Sequence, residues 1–133
     1  MASILRVNTL TDASSNNSTA MSTINQGTAK AWANFTGIST TALRDSFNVS
    51  GLTDNATGST SAALSSNMSN ANYTGSWFAN VSTGTASSNF DNTWTGGFGG
   101  RATTGYGVWS YGTTSAASFD SALNDTIIFG DLA

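Results

Sequence analysis

Side chains able to do chemistry are scarce in this chain. All seven acidic residues are Asp, His and Cys are absent, and the only basic residues are Arg6, Lys30, Arg44 and Arg101. Two opposed carboxylates could cleave a glycoside, with Asp45, Asp54, Asp91, Asp120, Asp125 and Asp131 as candidates. Each stands beside Gly, Asn, Ser or a strand edge, where Asp is the ordinary turn or capping residue. A serine activated by Lys30 is a second route, but no serine lies in a Gly-x-Ser-x-Gly elbow. Asp54-Asn55-Ala56-Thr57-Gly58 offers hard oxygen ligands without the spacing or closing Glu of a calcium loop, and reads as a hairpin turn. Gly96-Gly97-Phe98-Gly99-Gly100 lacks the Lys-Ser/Thr of a phosphate-binding loop and no helix pattern follows it, so it reads as a mobile glycine loop or tight bend. The expectation is a protein that is not an enzyme, with no catalytic residues, no metal site and no cofactor.

Aromatic residues carry the remaining chemistry. Phe90, Trp94, Phe98, Tyr106, Trp109 and Tyr111 fall within 22 residues, interleaved with glycine, serine and threonine. Aromatic rings cover the apolar faces of sugars while neighbouring amides and hydroxyls bind sugar hydroxyls. Trp94, Phe98, Tyr106, Trp109 and Tyr111 are therefore a candidate glycan-contact surface. The same rings could equally form the core, or a subunit contact, of a domain short of Leu and Val.

The elements that would position these residues are strands. Of 133 residues, 21 are Ser, 21 Thr and 14 Asn, whereas Leu, Ile, Val and Phe together number 23. So small an apolar inventory gives a thin core, and the net charge of −3 is too low to favour disorder. Period-two alternation marks Asn72 to Ser82, with Tyr73, Trp77, Ala79 and Val81 on one face. Ala29 to Thr36 sets Ala29, Ala31, Ala33 and Phe35 against Lys30, Trp32, Asn34 and Thr36, and Trp32 is expected to pack beneath a neighbouring strand or subunit. Leu43, Phe47 and Val49 alternate with polar residues, and Ser59 to Leu64, Ala102 to Tyr111 and Thr126 to Gly130 are further strand candidates, separated by turn-forming clusters. No segment sustains a helical period; the nearest is Ile4, Val7 and Leu10. The reading is an all-β, short-stranded sandwich or jelly-roll-like domain over residues 29–133, preceded by an extended anchoring or oligomerisation segment over residues 1–28, which is either a flexible arm or, the favoured reading, winds its sparse apolar residues against neighbouring subunits.

Scattered single cations argue against nucleic acid, and no apolar run approaches the roughly 20 residues that span a bilayer. Gln26-Gly27-Thr28-Ala29-Lys30-Ala31-Trp32-Ala33-Asn34-Phe35, with Leu43-Arg44-Asp45-Ser46-Phe47-Asn48-Val49-Ser50 and Leu52-Thr53-Asp54-Asn55-Ala56-Thr57-Gly58, resembles a module of tail-fibre and other virion appendage proteins of marine bacteriophages, cyanophages especially. Ile4 to Asp12 and Ile127 to Leu132 resemble that family's segment borders. Ser59 to Leu64 and Phe90 to Tyr111 depart from it. The resemblance implies a β-rich, trimeric virion part made in the host bacterial cytoplasm, attached to other tail or capsid proteins at one end and presented outward at the other. It implies a tail fibre or fibre tip, with a capsid decoration protein or head fibre as the alternative; a lectin-like module binding host-cell surface glycan is the alternative of another class. Light scattering coupled to size exclusion should return about three times the 13.6 kDa chain mass; a dominant monomer at micromolar concentration would contradict it.

Overall fold

Strands made of small residues need close partners on both edges and one covered face, and the alternating segments find them in two facing antiparallel sheets. The structure is a computed structural model and describes residues 4, 6–80, 94–112 and 117–133. In chain order its elements are β1 (Thr9–Thr11), β2 (Ser18–Ala20), α1 (Met21–Gly27), β3 (Ala31–Thr36), β4 (Ala42–Phe47), β5 (Val49–Ala56), β6 (Ser59–Leu64), β7 (Thr74–Asn80), β8 (Trp94–Ala102), β9 (Gly105–Gly112), β10 (Ala117–Ser118) and β11 (Leu123–Phe129). One sheet runs β4-β3-β11-β7. In the other, β9 takes β8 along one edge and β6 followed by β10 along the opposite edge, with β5 beyond β6. The protein is an all-β sandwich. None of its described helices is long and apolar enough to cross a membrane.

The core is made of complementary sizes. The first sheet contributes Ala31, Ala33, Phe35 and Ile128, all at most 2% exposed; the second contributes Ala62, Leu64, Tyr106 and Val108. Alanines on β3 leave room that aromatic rings from the facing sheet occupy. Phe98 reaches inward from β8 to stack on Tyr106 with centroids 5.2 Å apart, and Tyr73 meets it edge-on at 6.3 Å. Gly75 on β7 completes the fit, because a Cβ there would come within 2.8 Å of both Ile128 and Phe98.

Rings that cross the gap bring polar tips with them, and each tip needs a partner. The Thr126 hydroxyl, donating to the Ala33 carbonyl at 3.4 Å, is free to accept from the Tyr106 hydroxyl at 2.7 Å. Tyr73 donates to the Gly105 carbonyl at 2.6 Å, tying the edge of β7 to the β8–β9 turn. Trp77 Nε1 donates to Asn124 Oδ1, and Asn124 Nδ2 in turn to the Ser121 carbonyl, so that a 3% exposed amide is satisfied at both ends. Among the described residues no buried side-chain polar atom lacks a partner.

Ser59 to Leu64 is a strand as expected, and Thr57-Gly58 turns the chain between β5 and β6, Gly58 taking φ +72° with its amide donating to Asp120 Oδ1 at 2.7 Å. Elsewhere the structure differs. Leu43 to Val49 is broken at Asn48, whose φ of 56° carries the chain from one sheet to the other. The Asn48 amide nails that corner down, donating to the Lys30 and Ser66 carbonyls and accepting from the Ser66 amide at 2.7 Å. Ala102 to Tyr111 is not one strand: Thr103 and Thr104 turn between β8 and β9. The Gly96–Gly100 run is neither mobile loop nor bend but the middle of β8. Trp32 lies on the outer face of its sheet, half-buried between its cross-strand neighbours Phe47 and Ile127, because the alanine face turns inward. Residues 9–27 hold a small hairpin, β1–β2, and the seven-residue α1, about two turns long. Val81, Ser82, Phe90 and Asp91 lie outside the described residues.

Burial pushes the Tyr106 hydroxyl above the ordinary tyrosine range, partly offset by its bond to Thr126; burial does the same for Tyr73. A folded-state value above the unfolded one means that stability is whole below about pH 10 and is lost as pH rises through the folded value. The melting temperature should therefore fall above pH 10. Tyr106→Phe should lower stability at neutral pH by about 1 kcal/mol and flatten that alkaline decline, as followed by thermal unfolding at pH 8 to 11.5.

Candidate functional site

Strand parity divides the expected aromatic surface in two. On β9, Tyr106 and Val108 point into the core, whereas Gly105, Gly107, Trp109 and Tyr111 point outward. Tyr106 is only 2% exposed and is a core residue that cannot touch a glycan; Phe98 is half-buried, its ring turned to Tyr73 and Tyr106 and packed against that core. Trp109 and Tyr111 are 47% and 40% exposed and share one face. The side chain of Trp94 lies outside the described residues.

The glycines of β8 explain how Trp109 is held. Gly97 is its direct cross-strand partner, and a Cβ built on Gly97 would fall 2.1 Å from the indole Cε2 and Cζ2. One on Gly99 would fall 2.6 Å from Cζ3. The indole therefore lies flat across the backbone of β8, in space that exists only because two alternate residues lack side chains. One face of the ring rests on peptide groups and the other is turned to solvent.

Beyond the ring the floor continues bare. Gly107 lies opposite Gly99 on one side and Ser61 on the other, about 7 Å along the strand from Trp109. A shallow depression of about 240 Å³ follows over Gly105 and Ala63, bordered by Thr53, Ser61 and Thr104. Ser59 stands opposite Trp109, and Asn55 Nδ2 donates to Ser61 Oγ at 2.7 Å. Among the described residues the face thus pairs one supported aromatic plane with a row of hydroxyl and amide groups. Its chemistry suits a neutral, hydroxyl-rich ligand with an apolar side. Ser59, Ser61 and Asn55 were not among the expected site residues; the period-two spacing of Ser59 and Ser61 was their only signal.

Four of the candidate or neighbouring aspartates each accept at least one hydrogen bond within the chain. Asp12 accepts from the Asn16 amide and from Asn17 Nδ2 at 2.8 Å, and the Asn17 bond is the main reason its carboxyl is held below the usual range. Asp125 accepts from Asn34 Nδ2 at 2.6 Å, Asp45 from the Ser46 amide and Asp120 from Gly58. No metal-ligating cluster occurs among the described residues. Comparison with protein-family models, with curated proteins and with solved structures finds no match to this chain.

If the glycines seat the ring, Gly97→Val should displace it. Tryptophan fluorescence should shift to longer wavelength and stability should fall by about 1–3 kcal/mol. A substitution at Gly100, where a Cβ would meet only Gly107 at 3.5 Å or more, should leave the ring's environment unchanged even though its φ of 56° makes any side chain there strained.

Proposed function

We propose that the protein is a non-catalytic structural module of a bacteriophage virion, working as a homotrimer in a tail fibre or fibre tip, with capsid decoration as the alternative placement. The observation that carries this reading is the amount of large apolar surface a single copy leaves in water: Phe78 is 59% exposed, Phe47 51%, and Ile4 75%. Rings left on the face of a sandwich with so thin a core support a neighbouring copy that covers some of them. The segments that resemble virion appendage proteins, Gln26 to Phe35, Leu43 to Ser50 and Leu52 to Gly58, fall mainly on β3, β4, β5 and the turn after them, and the border-like Ile127 to Leu132 begins in β11, so the resemblance rests mostly on the framework and does not include Trp109.

The Trp109 face supports a second reading, that the module also binds a host-cell surface glycan. A ring supported from below and open above is the form a sugar-stacking platform takes.

Both readings have direct tests. Purified particles of the phage that encodes the chain should contain the protein in copy numbers divisible by three, retained through high-salt washing. Its presence in the lysate but absence from washed particles would overturn the structural reading. Calorimetric titration with oligosaccharides from host surface polysaccharide should show binding that Trp109→Ala weakens at least tenfold, a loss of about 1.4 kcal/mol. Equal binding by the variant would remove the glycan reading and leave the structural one standing.

A further inference from the structure

The outer face of the four-stranded sheet has a composition opposite to that of the Trp109 face. The cross-strand register lines up Phe47, Trp32 and Ile127 in one row, and Asp45, Asn34, Asp125 and Phe78 in the next. Phe47 and Phe78 are more than half exposed, Trp32 and Ile127 half-buried. The face is therefore an apolar stripe beside two carboxylates. Lys30, on the same side of β3, is already engaged by the Asn25 carbonyl, and Arg44 by the Ala122 carbonyl at 2.7 Å.

Among the described residues the N-terminal segment has the complementary composition. In the N-terminal segment Ile4, Val7 and Leu10 are 75%, 38% and 46% exposed, and between them stands Arg6, also exposed, the one basic residue before Lys30. Asp12, the nearest acid, is turned back onto Ser14, Asn16 and Asn17 of its own loop. The segment thus offers three apolar side chains and one cation, against a face offering four apolar side chains and two anions.

We propose that the outer face of the four-stranded sheet is covered, in the assembled protein, by the N-terminal segment of a second copy, with Ile4, Val7 and Leu10 on the Phe47–Trp32–Ile127–Phe78 surface and Arg6 against Asp45 and Asp125. This deepens the homo-oligomeric part of the proposed function and rests on it. Exchange of segments between copies joins them without requiring a larger core in any one of them.

The absence of native cysteine makes the test clean. Full-length Leu10→Cys and a mass-tagged Phe47→Cys are co-expressed and treated with a short bismaleimide, with Leu10→Cys plus tagged Thr53→Cys as control, since Thr53 is exposed on the other sheet. A tagged–untagged adduct in the first pair and not in the control supports the proposal, and Arg6→Asp in the Leu10→Cys chain should reduce its yield. Adduct formed only within single chains of the double variant Leu10→Cys/Phe47→Cys would show the segment folding onto its own sheet, and would overturn it. A trimer giving no adduct, or equal adduct with the control, would also overturn it while leaving the oligomeric reading intact. A monomer by light scattering would overturn both.

Discussion

Everything in this sandwich depends on filling the space between two sheets with very few large aliphatic side chains. The solution is to let rings from one sheet project into hollows over alanines on the other. Tyr106 is the central instance: it spans the gap from β9, and its hydroxyl emerges at the far sheet beside Thr126, itself bonded to the Ala33 carbonyl. Had β11 carried valine at 126, the Tyr106 hydroxyl would be buried without that partner, which is costly. The small residues and the polar tips are therefore one arrangement, and the high threonine content follows from it as well as from the surface.

The same logic runs outward. Because alternate residues on β8 are glycine, the indole of Trp109 can lie down on the sheet instead of standing away from it. The two faces of the protein then differ in kind. One presents a ring on bare backbone beside hydroxyls, the other an apolar stripe beside carboxylates. A module with two unlike faces can be held by one and display the other.

How much of this was legible beforehand depended on the residue. Ala31, Ala33 and Phe35 announced an inward face by period two, and Ser59 to Leu64 was readable from local patterning alone; the hairpin turn read over Asp54 to Gly58 is confined to Thr57-Gly58, since Asp54 to Ala56 still belong to β5. The glycine run was not, because glycine signals a bend in isolation and a strand only when a neighbouring ring needs the room, and Trp109 lies twelve residues further along the chain from Gly97. Trp32 was set opposite the alanines by the same alternation, and that parity places it on the outer face, half-buried beside Phe47 and Ile127. Of the expected aromatic surface, Phe98 and Tyr106 were indistinguishable from Trp109 and Tyr111 until pairing placed Thr103-Thr104 at the turn and so set which positions face in. The corner at Asn48 left no periodic trace at all, since a single left-handed residue with a well-bonded amide is a property of three dimensions.

The seating of Trp109 on Gly97 has a consequence for how this sequence can drift. Neither position is free on its own: a side chain at 97 has no room while the indole is there, and removal of the indole leaves two strands' backbone bare to water. Positions 97 and 99 are thus both tied to 109: a side chain at either glycine is tolerated only where the indole is gone, and loss of the indole alone leaves the floor it covered unpacked.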